Sequence, residues 1–158
     1  MARPSYLLSF ISIQALRLQA TFAAKYPGAW LIWEPGAWQP PSRAMVNTVG
    51  VPVGAPATAP TQTDSLCFSL GRNVGLVSIG RAPENDCVVS DATVSRHHAD
   101  LFERAGRWWV RAAEGRQLAL NGQPLTAEAV LSRHDHLQLG NVTLTFEDEP
   151  GMAERALR

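Results

Sequence analysis

A chain of 158 residues, 46% hydrophobic and 18% charged, carries enough apolar material for one compact domain plus an extension, and too little for two full domains. Its formal net charge is zero, so no global field recruits nucleic acid or an anionic membrane, and any anion site has to be local. The two cysteines, Cys67 and Cys87, have neither the number nor the spacing of a disulfide framework or a metal site and read as free, buried thiols of a reducing cytoplasm.

Leu7, Ile11, Ala15, Leu18 and Phe22 recur at helical steps, which predicts one amphipathic helix over residues 5–24 with Ser5 as its N-cap. Gln14 and Arg17 interrupt the apolar run too early for a signal peptide or a membrane span. Pro27-Gly28 ends the helix, and Ala29-Trp30-Leu31-Ile32-Trp33 follows as a short strand-like run, with Trp38 nearby. So dense an aromatic cluster reads as core, or as a seat for the helix, before it reads as a ligand cage. Residues 1–38 thus form an N-terminal piece expected to pack on the chain's own sandwich or against a second copy, as a homodimer contact. Residues 39–64 are rich in Pro, Ala, Gly and Thr and read as a linker.

Beyond Asp64 the period changes to two. Strands are expected at 66–70, 75–79, 87–89, 98–103, 108–111, 117–120, 123–125, 137–139 and 142–146, with Gly71-Arg72-Asn73 and Asn121-Gly122 as turns. No helix is expected there, and residues 150–158 read as a tail. Many short strands with frequent turns predict an all-β antiparallel sandwich of about ten or eleven strands over 65–149, carrying its functional loops at one end.

Ile79-Gly80-Arg81, Asn85-Asp86, Val94-Ser95-Arg96-His97-His98-Ala99 and His136-Leu137-Gln138-Leu139-Gly140 occur in an order that resembles the forkhead-associated domain, the phosphothreonine-reading sandwich. The resemblance covers residues 66–147, about half of the chain, and the arginine bias, with Lys25 the only lysine, suggests a bacterial source. It implies a phosphothreonine site in which Arg81 supplies a planar donor fork, Ser95 a hydroxyl and Arg96 further charge toward the flanking peptide. Gly80 is expected to permit the tight turn that aims Arg81, Asn85 to support the site, and His98 to brace the loop from inside. Where the family carries Ser-x-Asn-Gly, this chain has Glu114-Gly115-Arg116-Gln117-Leu118, one residue shorter and without the following Gly; Gln117 is expected to take the place of the Asn and Arg116 to add a second cation.

Two other readings of the polar residues are poor. Ser95, His98 and Asp100 lie too close along an extended segment to make a catalytic triad, and His97, His98, His134 and His136 lack any metal-ligand spacing. The expectation is therefore a non-catalytic, cytoplasmic adaptor without cofactor or metal, whose partner is a protein phosphorylated on threonine by a Ser/Thr kinase. The competing expectation is a phospho-independent interaction or oligomerisation scaffold on the same fold.

Overall fold

The computed structural model describes residues 3–35, 58–72 and 74–157. Trp38, Asn73 and most of the stretch read as a linker lie outside them. Among the described residues, twelve short strands make two packed sheets, and three helices cover the outside of the first sheet. In chain order these are β1 (Ser5–Leu7), α1 (Leu8–Leu18), α2 (Phe22–Lys25), β2 (Ala29–Trp33), β3 (Leu66–Gly71), β4 (Leu76–Gly80) and β5 (Cys87–Val88). Then come β6 (Ala99–Arg104), β7 (Arg107–Ala112), β8 (Ala119–Leu120), β9 (Gln123–Pro124), β10 (Ala129–Val130), β11 (Asp135–Leu139), β12 (Val142–Glu147) and α3 (Glu149–Ala156). The first sheet runs β1-β3-β2-β12-β11-β8-β9 and the second β10-β7-β6-β4-β5. All strand pairs are antiparallel except β4 with β5.

All five residues of β2 are buried, because this strand is covered on both faces. Leu31 and Trp33 point into the core between the sheets, beside Leu66, Phe68, Leu144 and Phe146. Trp30 and Ile32 face the other way, into a second cluster under the helices with Ile11, Phe22, Tyr26 and Met152. A doubly covered strand shows no alternation, so the run Ala-Trp-Leu-Ile-Trp carries only the sign of burial. β2 pairs with β3 on one side and β12 on the other, so the first sheet crosses the division expected at 39–64. Residues 34–65 join two neighbouring strands of one sheet.

The N-terminal helix differs from the sequence expectation at both ends. Ser5 is not its cap; it lies in β1 opposite Phe68. The first turn is capped from a distant part of the chain, with Leu8 N–H donating to the Ser65 carbonyl at 2.8 Å and Ser9 N–H to Asp64 Oδ1 at 3.0 Å. Such long-range capping leaves no local sequence signature. At its other end α1 stops at Gln19, whose φ of 48° is left-handed, and a 3-10 turn over Gln19–Thr21 leads into α2. Two helical pieces stand where one was expected.

The expected tail is instead α3. Asp148 caps it by accepting from Gly151 N–H at 2.8 Å, and Pro150 occupies its first turn, where a missing N–H costs nothing. Met152 and Ala156 bury against the helical cluster. Arg155 reaches Glu34, just past β2, with both terminal nitrogens at 2.8 and 3.1 Å; Glu34 also accepts from Thr145 Oγ1 at 2.6 Å and Ser65 Oγ at 3.1 Å. Burial opposes charge on Glu34, but the bonds from Arg155, Thr145 and Ser65 win and hold its pKa below the usual value. Cys67 and Cys87 are free and buried, and burial pushes both thiols well above their ordinary range.

Candidate functional site

The loops after β4, before β6 and after β7 meet at one end of the second sheet. Gly80 closes β4, and a side chain there would meet the Arg96 carbonyl at 2.2 Å. Close backbone approach therefore demands the glycine, beyond the tight turn expected from the sequence; Gly80 is not among the positive-φ residues. That approach lets the two loops bond directly. Arg81 N–H donates to the Ser95 carbonyl at 2.8 Å and Ala82 N–H to the Arg96 carbonyl at 3.1 Å. Buried Asn85 ties the same knot from below, its amide donating to the Ala82 carbonyl at 2.8 Å and the Arg96 carbonyl at 2.6 Å.

The Arg81 side chain lies along the second loop, with Nε donating to the Val94 carbonyl at 3.0 Å. This bond fixes the plane of the guanidinium beside Ser95 while its two terminal nitrogens make no ion pair among the described residues. Ser95 is half-buried, and its hydroxyl likewise has no protein partner among the described residues. A planar cation and a hydroxyl thus sit on adjoining loops, with donors to spare for an acceptor-rich anion. The Ser95 loop is also held from its other flank. Thr93 N–H and hydroxyl both reach Asp91 Oδ1, and Asn141 N–H on the β11–β12 turn donates to Thr93 Oγ1 at 2.9 Å.

His98 joins the Ser95 loop to the loop after β7. Ser95 N–H donates to Nδ1 at 3.1 Å, which requires Nδ1 to be the bare nitrogen; Nε2 then carries the proton and donates to the Gln117 carbonyl at 2.7 Å. Only the neutral ring satisfies both. Burial lowers the His98 pKa from its ordinary 6.5; the Gln117 carbonyl works against that shift, and nearby Arg116 and His97 reinforce it. Because the folded chain resists the proton, the unfolded chain binds it first as pH falls. The contribution of His98 to stability is complete above pH 6.5 and drains away as pH drops from there toward the lowered folded value. We expect the His98 ring signals to titrate by NMR with a midpoint below 6.5, accompanied by a falling melting temperature over that window; a midpoint at or above 6.5 would contradict the neutral brace.

The other sequence-predicted residues are placed as follows. Arg96 is exposed and pairs loosely with Glu84 at 3.5 Å, while its carbonyl is the knot described above. Arg116 and Gln117 are exposed, on a turn closed by Arg116 N–H donating to the Ala113 carbonyl at 2.9 Å. Gly115 in that turn has a φ of 75°. Gln117 is brought to the site through its main chain, whose carbonyl His98 holds. Asp100, set aside as a triad member, instead accepts from His97 Nε2 at 2.8 Å and faces Arg111 at 3.6 Å. Among the described residues, no group of three or more His, Cys, Asp or Glu side chains can hold a metal ion.

Comparison with known proteins finds relatives of the fold. Residues 63–150 match the family model described as "Inner membrane component of T3SS, cytoplasmic domain". The chain is 31% identical to the ABC transporter ATP-binding/permease protein Rv1747 of Mycobacterium tuberculosis over 139 aligned residues, covering 78% of this chain and 16% of that protein. It is 31% identical to the oxoglutarate dehydrogenase inhibitor of Corynebacterium diphtheriae over 106 residues, covering 61% of this chain and 73% of that one. A solved forkhead-associated domain, from work on phosphothreonine-dependent interactions of such domains, superposes with a TM-score of 0.52 at 16% identity, covering 76% of this chain and 95% of that domain. The chain spans only a sixth of the mycobacterial transporter, and that protein's activity as a whole is not thereby this chain's.

Proposed function

The chain belongs to the family whose model is described as "Inner membrane component of T3SS, cytoplasmic domain" and shares the forkhead-associated fold, and on that premise we propose that it is a non-catalytic bacterial adaptor whose second-sheet loops bind a phosphothreonine peptide. Phosphothreonine brings about −1.5 to −2 charge and three acceptor oxygens. Arg81 offers a fork to two of them, and the Ser95 hydroxyl a donor to a third. Arg116, and Gln117 in the place of the forkhead-associated family's Asn, face the peptide main chain, while Arg96 adds charge beside it. Gly80, Asn85 and His98 hold these groups without touching the ligand. The observation that carries the reading is the Arg81 Nε to Val94 carbonyl bond, which fixes the guanidinium against the Ser95 loop and leaves its terminal nitrogens for a ligand. The partner is a cytoplasmic protein phosphorylated by a Ser/Thr kinase. No helix among the described residues is long and apolar enough to cross a membrane.

A panel of matched peptides, phosphorylated or not on threonine, titrated into the full chain tests this directly. Micromolar binding of phosphopeptides with no measurable binding of their unphosphorylated twins is expected. Equal binding of both would favour the second reading, a phospho-independent scaffold. The described family model, a secretion-system component, speaks for that reading, as do Ile13, Leu16 and Leu157, large apolar side chains left exposed on α1 and just after α3.

A further inference from the structure

The helices cover the first sheet, whereas the outer face of the second carries no such layer among the described residues. Strand register sets Leu76 opposite Phe102, Phe102 opposite Trp109 and Trp109 opposite Val130, so these four share one face and form an unbroken apolar row across β4, β6, β7 and β10. That face is the outer one, because their chain neighbours Val77, Leu101, Val110 and Ala129 pack on the core. Leu76 is 54% exposed, and Phe102, Trp109 and Val130 each keep part of their surface in water. At roughly 4.8 Å between strands, the row is about 14 Å long.

Arginines flank it on both sides. Two residues along from the row in one direction, Arg104 stands opposite Arg107; in the other direction, Arg111 stands opposite Asp100. The Arg104 guanidinium lies 5.0 Å from the ring centroids of both Phe102 and Trp109, and that of Arg111 5.3 Å from Phe102, which holds both forks at the edge of the row. Arg104 is shared with Glu128 at 3.0 Å, Arg111 stands off from Asp100 at 3.6 Å, and Arg107 has no ion pair among the described residues. Like charges directly across a strand pair cost stability, and Arg104 facing Arg107 at the Ala105-Gly106 turn is such a pair. A carboxylate from outside would relieve it. Single-stranded nucleic acid, the other guest for aromatics beside arginines, fits poorly, since guanidinium groups already lie over the rings and Asp100 and Glu128 repel phosphate.

We propose that this face docks an acidic, apolar segment of a partner protein, its aliphatic or aromatic side chains on the Leu76–Val130 row and its carboxylates on Arg104, Arg107 and Arg111, with no phosphate required. The surface is separate from Arg81 and Ser95, and the proposal does not rest on the phosphothreonine reading.

Random unphosphorylated peptides of about twelve residues, ample to span the row, are displayed on phage and selected on the full chain, and the enriched sequences are synthesised and titrated. They are expected to combine Asp or Glu with Leu, Ile, Phe or Trp and to bind in the micromolar range. Arg107→Glu should weaken them about tenfold while raising the melting temperature, because opposite charges then face each other across the hairpin. Leu76→Ser should weaken them with the melting temperature unchanged, and Arg81→Ala should leave their binding as it is. No enrichment, enriched sequences without carboxylates, or affinities that neither Arg107→Glu nor Leu76→Ser moves would overturn the proposal. Loss of binding in Arg81→Ala alone would overturn it by assigning the acidic peptides to the phosphate end. A thymidine oligonucleotide that binds wild type and not Arg107→Glu would overturn it in favour of nucleic acid.

Discussion

Replacing Arg81 with Ala is expected to weaken phosphothreonine-peptide binding about a hundredfold or more, with little effect on the melting temperature. Each charge-assisted hydrogen bond to a phosphate contributes roughly 1.5–3 kcal/mol, and the free end of the guanidinium can make two. Losing both corresponds to two or more decades in Kd. The stability cost is small because the bonds between the loops remain: Arg81 N–H to the Ser95 carbonyl, Ala82 N–H to the Arg96 carbonyl, and the Asn85 amide to the Ala82 and Arg96 carbonyls. Only the Nε bond to the Val94 carbonyl goes with the side chain. Arg81→Lys separates charge from geometry. It keeps a cation but cannot both bond Val94 and present a fork, so an intermediate loss of about tenfold is expected. Anisotropy titrations of the three proteins with one phosphopeptide decide the matter; a Kd for Arg81→Ala within threefold of wild type would place the phosphate elsewhere.

Ser95 and His98 show how much of the candidate site's geometry is legible in the sequence and where the reading stops. Gly80, Arg81, Asn85, Ser95, Arg96 and His98 lie where the loops after β4 and before β6 meet, whereas the run His136–Gly140 lies in and just after β11; side chains are what a sequence records. The role of the Arg96 carbonyl was not legible. It is the acceptor around which Gly80, Ala82 and Asn85 are arranged, yet a carbonyl is present at every residue and leaves no mark. The same limit hid the reason for Gly80, which looked like a turn residue and is in fact a gap for that oxygen.

The fold divides along similar lines. Strand β3 buries both faces, Cys67 turning to the helical cluster, and from β3 to β12 the strands fall within one or two residues of expectation except for β10, a two-residue edge strand. The N-terminal cap failed because Asp64 and Ser65 supply it from across the sheet. By contrast, α3 was announced by Asp148, Pro150 and the Met152–Ala156 spacing, a cap and a helical step that short length and a polar composition obscured.

A chain shortened to begin at Asp64 is expected not to fold, although it retains every residue on which the family resemblance rests. Without β2, strands β3 and β12 lose the partner that lies between them, and each exposes a row of unpaired main-chain groups. Leu31 and Trp33 leave the core between the sheets, and Trp30 and Ile32 leave the helical cluster. Burial of four such side chains is worth roughly 1.5–3 kcal/mol each, a sum comparable with the roughly 5–15 kcal/mol by which a domain of this kind is stable at all. Glu34 goes as well, stripping Thr145 and Arg155 of their shared acceptor. The shortened chain should therefore show no cooperative melt and no dispersed amide spectrum. Adding a peptide of residues 3–35 in trans should restore both, since it returns β1, β2 and α1 together. A sharp melt of the shortened chain alone, near that of the full one, would show that β2 is an accessory to the sandwich and not a member of it. The connection between β2 and β3 is what makes this outcome counter-intuitive. Antiparallel neighbours are usually joined by a few residues, and a stretch as long as 34–65 reads as a domain boundary. Loop closure, however, grows only logarithmically with length, so a long insertion costs little more than a short one once both strands have a sheet to join.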